Sequence, residues 1–288
     1  VGAYPELWYT ATTGRRITSI CLFFGFRCES CRLEVRGMTV TIVVSNQKGG
    51  VGKTMFSVHL AEYCAERAKV LFVDVDGQGN STRFFLDDRA KAGKGASRLF
   101  SDGEAPEIIK VRENLAIIPA DKTLNDVEAA PLEVIMLPRR HLAACAAGYD
   151  VVIIDTPPSQ GRRLLGALIA ANAVVTPLGL DKASFEGIED LLNDIKVVRA
   201  KMNPSMRHIG ILINRFKPAN KEQRANLRAL QADLGDRVLS TVLQDRSPVG
   251  TAFDNRKPIW KRSKGESAQR AAHEFRAACE LVYTRATA

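Results

Sequence analysis

A chain of 288 residues with 45% hydrophobic and 25% charged residues has the composition of a globular protein and the length of one large α/β domain, which excludes a fibrous or disordered chain and leaves little room for two full domains. The formal charge of +9 points toward a polyanionic partner, and its distribution is uneven. Residues 199–288 carry 18 Lys/Arg against 8 Asp/Glu (net +10), residues 38–198 carry 18 against 21 (net −3), and residues 1–37 carry 5 against 3 (net +2), so the basic face belongs to the C-terminal third.

Residues 1–37 show neither helical nor strand periodicity and lack the turn punctuation found later. Arg15 and Arg16 ahead of the apolar run 17–26 imitate a secretory signal, but that run is too short to span a bilayer and no clean small-residue cleavage site follows. The expectation is an upstream extension ahead of a working start at Met38, with one domain over 38–288. Cys28 and Cys31 form a single C-x-x-C with no second pair or spaced histidines to complete a zinc site. Cys64, Cys145 and Cys279 stand singly in helical patterns as small apolar filler, which suits a reducing compartment.

From Met38 onward, short apolar runs at 40–45, 69–74, 114–119, 150–155, 173–178, 208–214 and 237–241 read as strands, with amphipathic stretches of helical length between most of them. Runs such as Val151-Val152-Ile153-Ile154 do not alternate apolar with polar, as strands covered on both faces require. The fold class is therefore α/β, a doubly wound and mainly parallel sheet with helices on both faces. Residues 87–110 are richer in charge and glycine and read as a surface excursion. The stretch 268–284 carries an alanine-rich stripe suited to a helix packed on the core.

The first strand runs into Asn46-Gln47-Lys48-Gly49-Gly50-Val51-Gly52-Lys53-Thr54 and then into a helical pattern, which is the strand, loop and helix order of a P-loop. Gly49, Gly50, Val51 and Gly52 bring successive backbone N–H groups toward phosphate oxygens at a helix N-terminus. Lys53 is placed to reach the β and γ phosphates, and the Thr54 hydroxyl to ligate Mg²⁺. Asp155, ending a strand, is the acid expected beside Thr54. Gln47 stands where a glycine is usual, and a second lysine at 48 would crowd Lys53 if both served one nucleotide. A phosphate on a facing subunit is one candidate for Lys48; a solvated loop charge is the alternative.

These residues resemble the ParA/MinD family of deviant P-loop ATPases, whose K-G-G-x-G-K-[ST] motif is matched by Lys48 through Thr54. The resemblance implies an ATPase with ATP and Mg²⁺, in which Lys48 reaches across a nucleotide-sandwich homodimer. Asp74-Val75-Asp76-Gly77-Gln78-Gly79-Asn80 resembles the family's D-x-D-P-Q-G-N segment with Gly77 in place of proline. It implies that Asp76 orients the attacking water and that Asp74 sits near the Mg²⁺ shell; capping of the following helix is the alternative for both. Asp155-Thr156-Pro157-Pro158-Ser159 is similar to the family's Walker B and switch segment, and Thr176-Pro177-Leu178 with Ser184-Phe185-Glu186-Gly187 to the region after its next strand. Asn214 can meet a purine edge, and Lys217 at the fourth position of an N-K-x-D-like frame leaves no carboxylate for guanine, so adenine is favoured, with a strand-end turn as the other reading of Asn214.

Arg256, Lys257, Lys261 and Arg262 lie in the basic third, beside Arg246, Lys264 and Arg270. A solvated charged face is one reading. The local excess and the resemblance together imply ATP-dependent, non-specific DNA binding. The function expected is a partition ATPase, cytoplasmic and nucleoid-associated, whose slow hydrolysis is stimulated by a centromere-bound ParB-type partner. The alternative is a MinD-like membrane-positioning ATPase, which needs a C-terminal amphipathic helix with large apolar residues. A metabolic relative, such as an amidoligase, forms a third class.

Overall fold

The computed structural model describes residues 39–86, 93–181, 188–261 and 264–288; the N-terminal extension, with Cys28 and Cys31, lies outside the described residues. Eight strands form one sheet in the order β3-β4-β2-β5-β1-β6-β7-β8. They are β1 (Val40–Val44), β2 (Val70–Asp74), β3 (Ile109–Arg112), β4 (Leu115–Ile118), β5 (Val151–Asp155), β6 (Ala173–Leu178), β7 (Arg207–Phe216) and β8 (Val238–Gln244). Every pairing is parallel except β3 with β4. The expected doubly wound architecture is what forms. The strand missed in sequence is β3, whose alternating Ile-Lys-Val-Arg is half-exposed at the sheet edge and lacks the continuous apolar run of the buried strands.

Successive residues of the central strands feed two different cores. Ile42, Val44, Phe72 and Ile153 pack on one face, while Val43, Leu71, Val73, Val152 and Ile154 pack on the other. The first face is covered by α1 (Lys53–Cys64), α7 (Ser247–Asp254) and α8 (Glu266–Thr287). The second is covered by α3 (Leu137–Cys145), α4 (Arg162–Ala170) and α5 (Ile188–Lys201), with short 3-10 turns at Ala96–Phe100, Lys122–Ala129 and Leu132–Met136. The remaining α-helices among the described residues are α2 (Asn80–Phe85) and α6 (Lys221–Leu234). The stripe Ala268, Ala271, Phe275, Ala278, Cys279, Val282 and Ala286 of α8 is buried against the sheet, so its apolar face is already used. No described helix is long and apolar enough to cross a membrane.

Strand register places the chemistry. Val44 and Asp74 both pair with Asp155, so the P-loop leaving β1 and the two strand-end aspartates emerge together at the carboxyl edge, where α/β proteins bind ligands.

One buried contact ties α1 to the C-terminal third. His59 is fully buried; its Nδ1 donates to Met55 O at 2.6 Å and its Nε2 accepts from Ile259 N–H at 3.0 Å, an assignment that fits only the neutral ring. Burial lowers its pKa from 6.5 to about 4. The unfolded chain therefore takes up a proton between pH 6.5 and 4 that the native protein refuses, so stability is complete above pH 6.5 and lost as pH falls through that window, by about 3 kcal/mol for this group. His208 is lowered to about 4 by burial and by Arg237 and acts with the same sign. Urea titrations across this range should show a shallower acid decline in His59→Gln than in the wild type, together with lower stability at pH 7.

Candidate nucleotide site and basic face

Gly50 and Gly52 hold φ of 75° and 88°, a region that L-residues with a Cβ rarely adopt, and this is how the loop turns its N–H groups inward before α1 begins. A cavity of about 510 Å³ opens above it, lined by Gly49, Gly50, Gly52, Lys53, Thr54, Asp76, Pro158 and Asn214 among others. Lys53 is buried, and its Nζ donates to Lys48 O at 2.8 Å. Its pKa is lowered to about 8 by burial, opposed by Asp155 and Asp76. A bound phosphate would add further negative charge beside Lys53 and favour its protonated form.

Asp155 is fully buried, accepting from Ser57 Oγ at 3.1 Å, from Ser81 Oγ at 2.5 Å and from the Thr54 side chain. Burial pushes the pKa of Asp155 and of Asp74 upward, and their proximity raises that of Asp74 further. Among the described residues no cluster of three His, Cys, Asp or Glu side chains is arranged to hold a metal. A hydroxyl beside one carboxylate suits Mg²⁺, which keeps most of its shell for water and phosphate oxygens. Asp74 is differently occupied. Its Oδ1 accepts from Asp76 N at 3.1 Å, and its Oδ2 from Thr82 N at 2.9 Å and Thr82 Oγ1 at 2.7 Å. Both oxygens brace the turn into α2, as the capping alternative for Asp74 expects. Asp76 lines the cavity and is tied down through Oδ1 to Gln78 N at 3.0 Å.

Asn214 reaches the cavity wall, and its amide also bonds the loop. Nδ2 donates to Val51 O at 2.8 Å and Oδ1 accepts from Arg215 N at 2.9 Å, so one donor and one acceptor site of the amide brace the P-loop and the strand end. The wall beside it is formed by Gln244, Asp245, Arg246, Ser247, Val249 and Gly250 after β8. Sequence reasoning missed this segment; the available signal was its place after the carboxyl end of a parallel strand. Arg246, counted with the basic cluster, is paired with Glu274 at 2.9 Å and largely buried.

Lys48 does not line the main cavity. It borders a separate hollow of about 370 Å³ with Asp181, Arg215 and Lys217, and its Nζ lies 2.7 Å from Asp181 Oδ1. On the basic face, Arg256 and Lys257 are exposed, and Lys257, Lys261 and Lys264 border one groove of about 410 Å³. Lys261 lies 3.5 Å from Glu62 on α1, and Arg270 is paired with Glu266. Arg262 and residues 184–187 lie outside the described residues.

The sheet order, the glycine loop at the edge of β1 and the acid ending β5 define a P-loop nucleotide-binding protein. A family model described as an AAA domain matches residues 39–208. Protein IncC of Escherichia coli is 31% identical over 265 residues, covering 89% of this chain and 73% of its own. The chromosome-partitioning ATPase Soj of Thermus thermophilus is 31% identical over 253 residues, covering 87% and 98%. Among solved structures, cobyrinic acid a,c-diamide synthase from Mycobacterium smegmatis with bound ADP and magnesium superposes with a TM-score of 0.70 at 27% identity, over 84% of this chain and 93% of that one. The chain belongs to the ParA/Soj family of partition ATPases.

Proposed function

We propose that this chain is an ATP-driven DNA partition switch: ATP binding joins two copies face to face, the joined form holds DNA without sequence preference, and hydrolysis releases it. The observation that supports the reading is the division of labour around the P-loop, with Lys53 lining the nucleotide cavity and Lys48 bordering the adjoining hollow. Phosphoryl transfer is mostly positioning and charge neutralisation. Gly49 to Thr54 cradle the phosphates, Lys53 meets the β and γ oxygens, and Asp76 places the attacking water. Thr54 and Asp155 would hold Mg²⁺, which supplies charge neutralisation when bound. The segment 244–250 borders the base. Residues 38–288 form the working ATPase domain, acting in the cytoplasm on the nucleoid, and a centromere-binding ParB-type protein is the partner that accelerates hydrolysis.

Arg256, Lys257, Lys261 and Arg262 supply phosphate-backbone contacts. The buried stripe of α8 leaves no large apolar face for a lipid surface, which supports DNA over the membrane alternative. Neutralising these four side chains together is expected to weaken binding of the ATP-loaded protein to a random-sequence duplex by at least about 1 kcal/mol and to flatten its salt dependence. Fluorescence anisotropy at several salt concentrations reads both quantities. Unchanged affinity and slope would remove the basic groove from the mechanism.

A further inference from the structure

The 3-10 turn Lys122–Ala129 touches both loops that flank the phosphate end of the cavity. On one side, Glu128 serves the start of α4. Gly161 provides no side-chain cap there, and Glu128 Oε2 instead accepts from Arg162 N at 2.7 Å, a carboxylate placed at the positive end of the helix. The loop it fixes, 156–161, carries Pro158 into the cavity lining. On the other side, Asn125 lies against Gly77, the residue following Asp76. A Cβ at Gly77 would collide with the Asn125 amide, and a Cβ at Gly161 would collide with the Glu128 carboxylate. Neither glycine has its φ in the left-handed region, so both positions need glycine for space and not for conformation.

Arg163 joins the two sides. It is only 7% exposed; its Nε donates to Glu128 Oε1 at 2.7 Å and its Nη1 to Asn125 Oδ1 at 3.1 Å. A buried guanidinium with a fixed fork is a stiff spacer between the groups it binds.

We propose that Asn125, Glu128 and Arg163 form a positioning bridge that sets Asp76 against the 156–161 loop and thereby sets the rate of ATP turnover without touching the nucleotide. The proposal rests on the reading of Asp76 as the group that places the water. It also accounts for Gly77 where the related segment has proline: a pyrrolidine ring could not occupy the space that the Asn125 amide fills.

Steady-state ATPase kinetics on the full chain, with ADP affinity from a fluorescent analogue, test it. Asn125→Ala is expected to lower kcat about tenfold while KM and ADP affinity stay within about twofold, because displacement of a reacting geometry costs rate and not ground-state binding. Asn125→Asp, which keeps the acceptor for Arg163 and the shape facing Gly77, should retain wild-type kcat. Gly77→Ala should lower kcat in the wild-type background and cost nothing further in Asn125→Ala, the non-additivity of a shared contact. Wild-type kcat in Asn125→Ala, even with a lowered Tm, would overturn the bridge, and so would additive losses with Gly77→Ala. Asp76→Ala run alongside separates the two ideas: if it is inactive while Asn125→Ala is normal, only the bridge fails, and if it turns over normally, the role of Asp76 fails first.

Discussion

Asp76→Ala is expected to reduce ATP turnover by about 100-fold or more while leaving ATP affinity nearly unchanged, the range associated with loss of a group that positions or accepts a proton in the transition state. Asp76 lines the nucleotide cavity with Lys53 and the P-loop glycines, and Asp245 is the other carboxylate of that lining. The two strand-end acids have other work: Asp74 accepts from Thr82 and from Asp76 N, and Asp155, bonded to Ser57, Ser81 and Thr54, is the carboxylate proposed to hold Mg²⁺. Removing Asp74 should therefore act mainly through the fold, since both its oxygens brace the turn into α2. Removing Asp76 breaks one local bond, to Gln78 N, and leaves the P-loop intact. Phosphate release under saturating ATP, with equilibrium binding of a fluorescent ATP analogue as the companion measurement, distinguishes the two effects. Wild-type turnover in the variant would take Asp76 out of the reaction; loss of binding along with turnover would make it a ground-state ligand.

The central strands were legible because burial on both faces writes continuous apolar runs into the sequence, and β1, β2, β5 and β6 were located within a residue at each end. The P-loop was legible because its glycines and lysine are contiguous and flanked by the right elements. What escaped was long-range pairing. Asn214 read as an amide that could meet a purine edge or serve a strand-end turn, and only the fold adds its bond to Val51, 163 residues away. Arg246 and Arg270 counted toward the basic cluster, but each has a carboxylate partner on or near α8, and Lys261 shares Glu62 with Arg112. Charge density was readable in the chain; which charges remain available to a partner depends on contacts across the fold. The segment 244–250 escaped for a similar reason, since its residues carry no motif and acquire meaning only from standing beside the P-loop.

The sharpest consequence of the loop's sequence concerns Lys48. Under the two-copy reading, Lys48→Gln should leave each monomer able to bind ATP yet weaken ATP-dependent pairing at least about 30-fold, from roughly 2 kcal/mol for one desolvated charge pair across an interface. Within the monomer, Lys48 serves its own nucleotide site only through its backbone, whose carbonyl receives Lys53 Nζ, and glutamine keeps that carbonyl. Its side chain is held by Asp181, a pair whose members are 29% and 60% exposed. An ion pair so open to water contributes between zero and about 1 kcal/mol, so a phosphate presented by a second copy can replace the carboxylate at little cost. Light scattering in ATP should then report a mass near two chains for the wild type and one chain for the variant, while nucleotide titration of the two gives similar affinities. Loss of nucleotide binding by the monomeric variant would instead return Lys48 to the role of an ordinary phosphate ligand, and a dimer of undiminished strength would leave it a surface charge paired with Asp181.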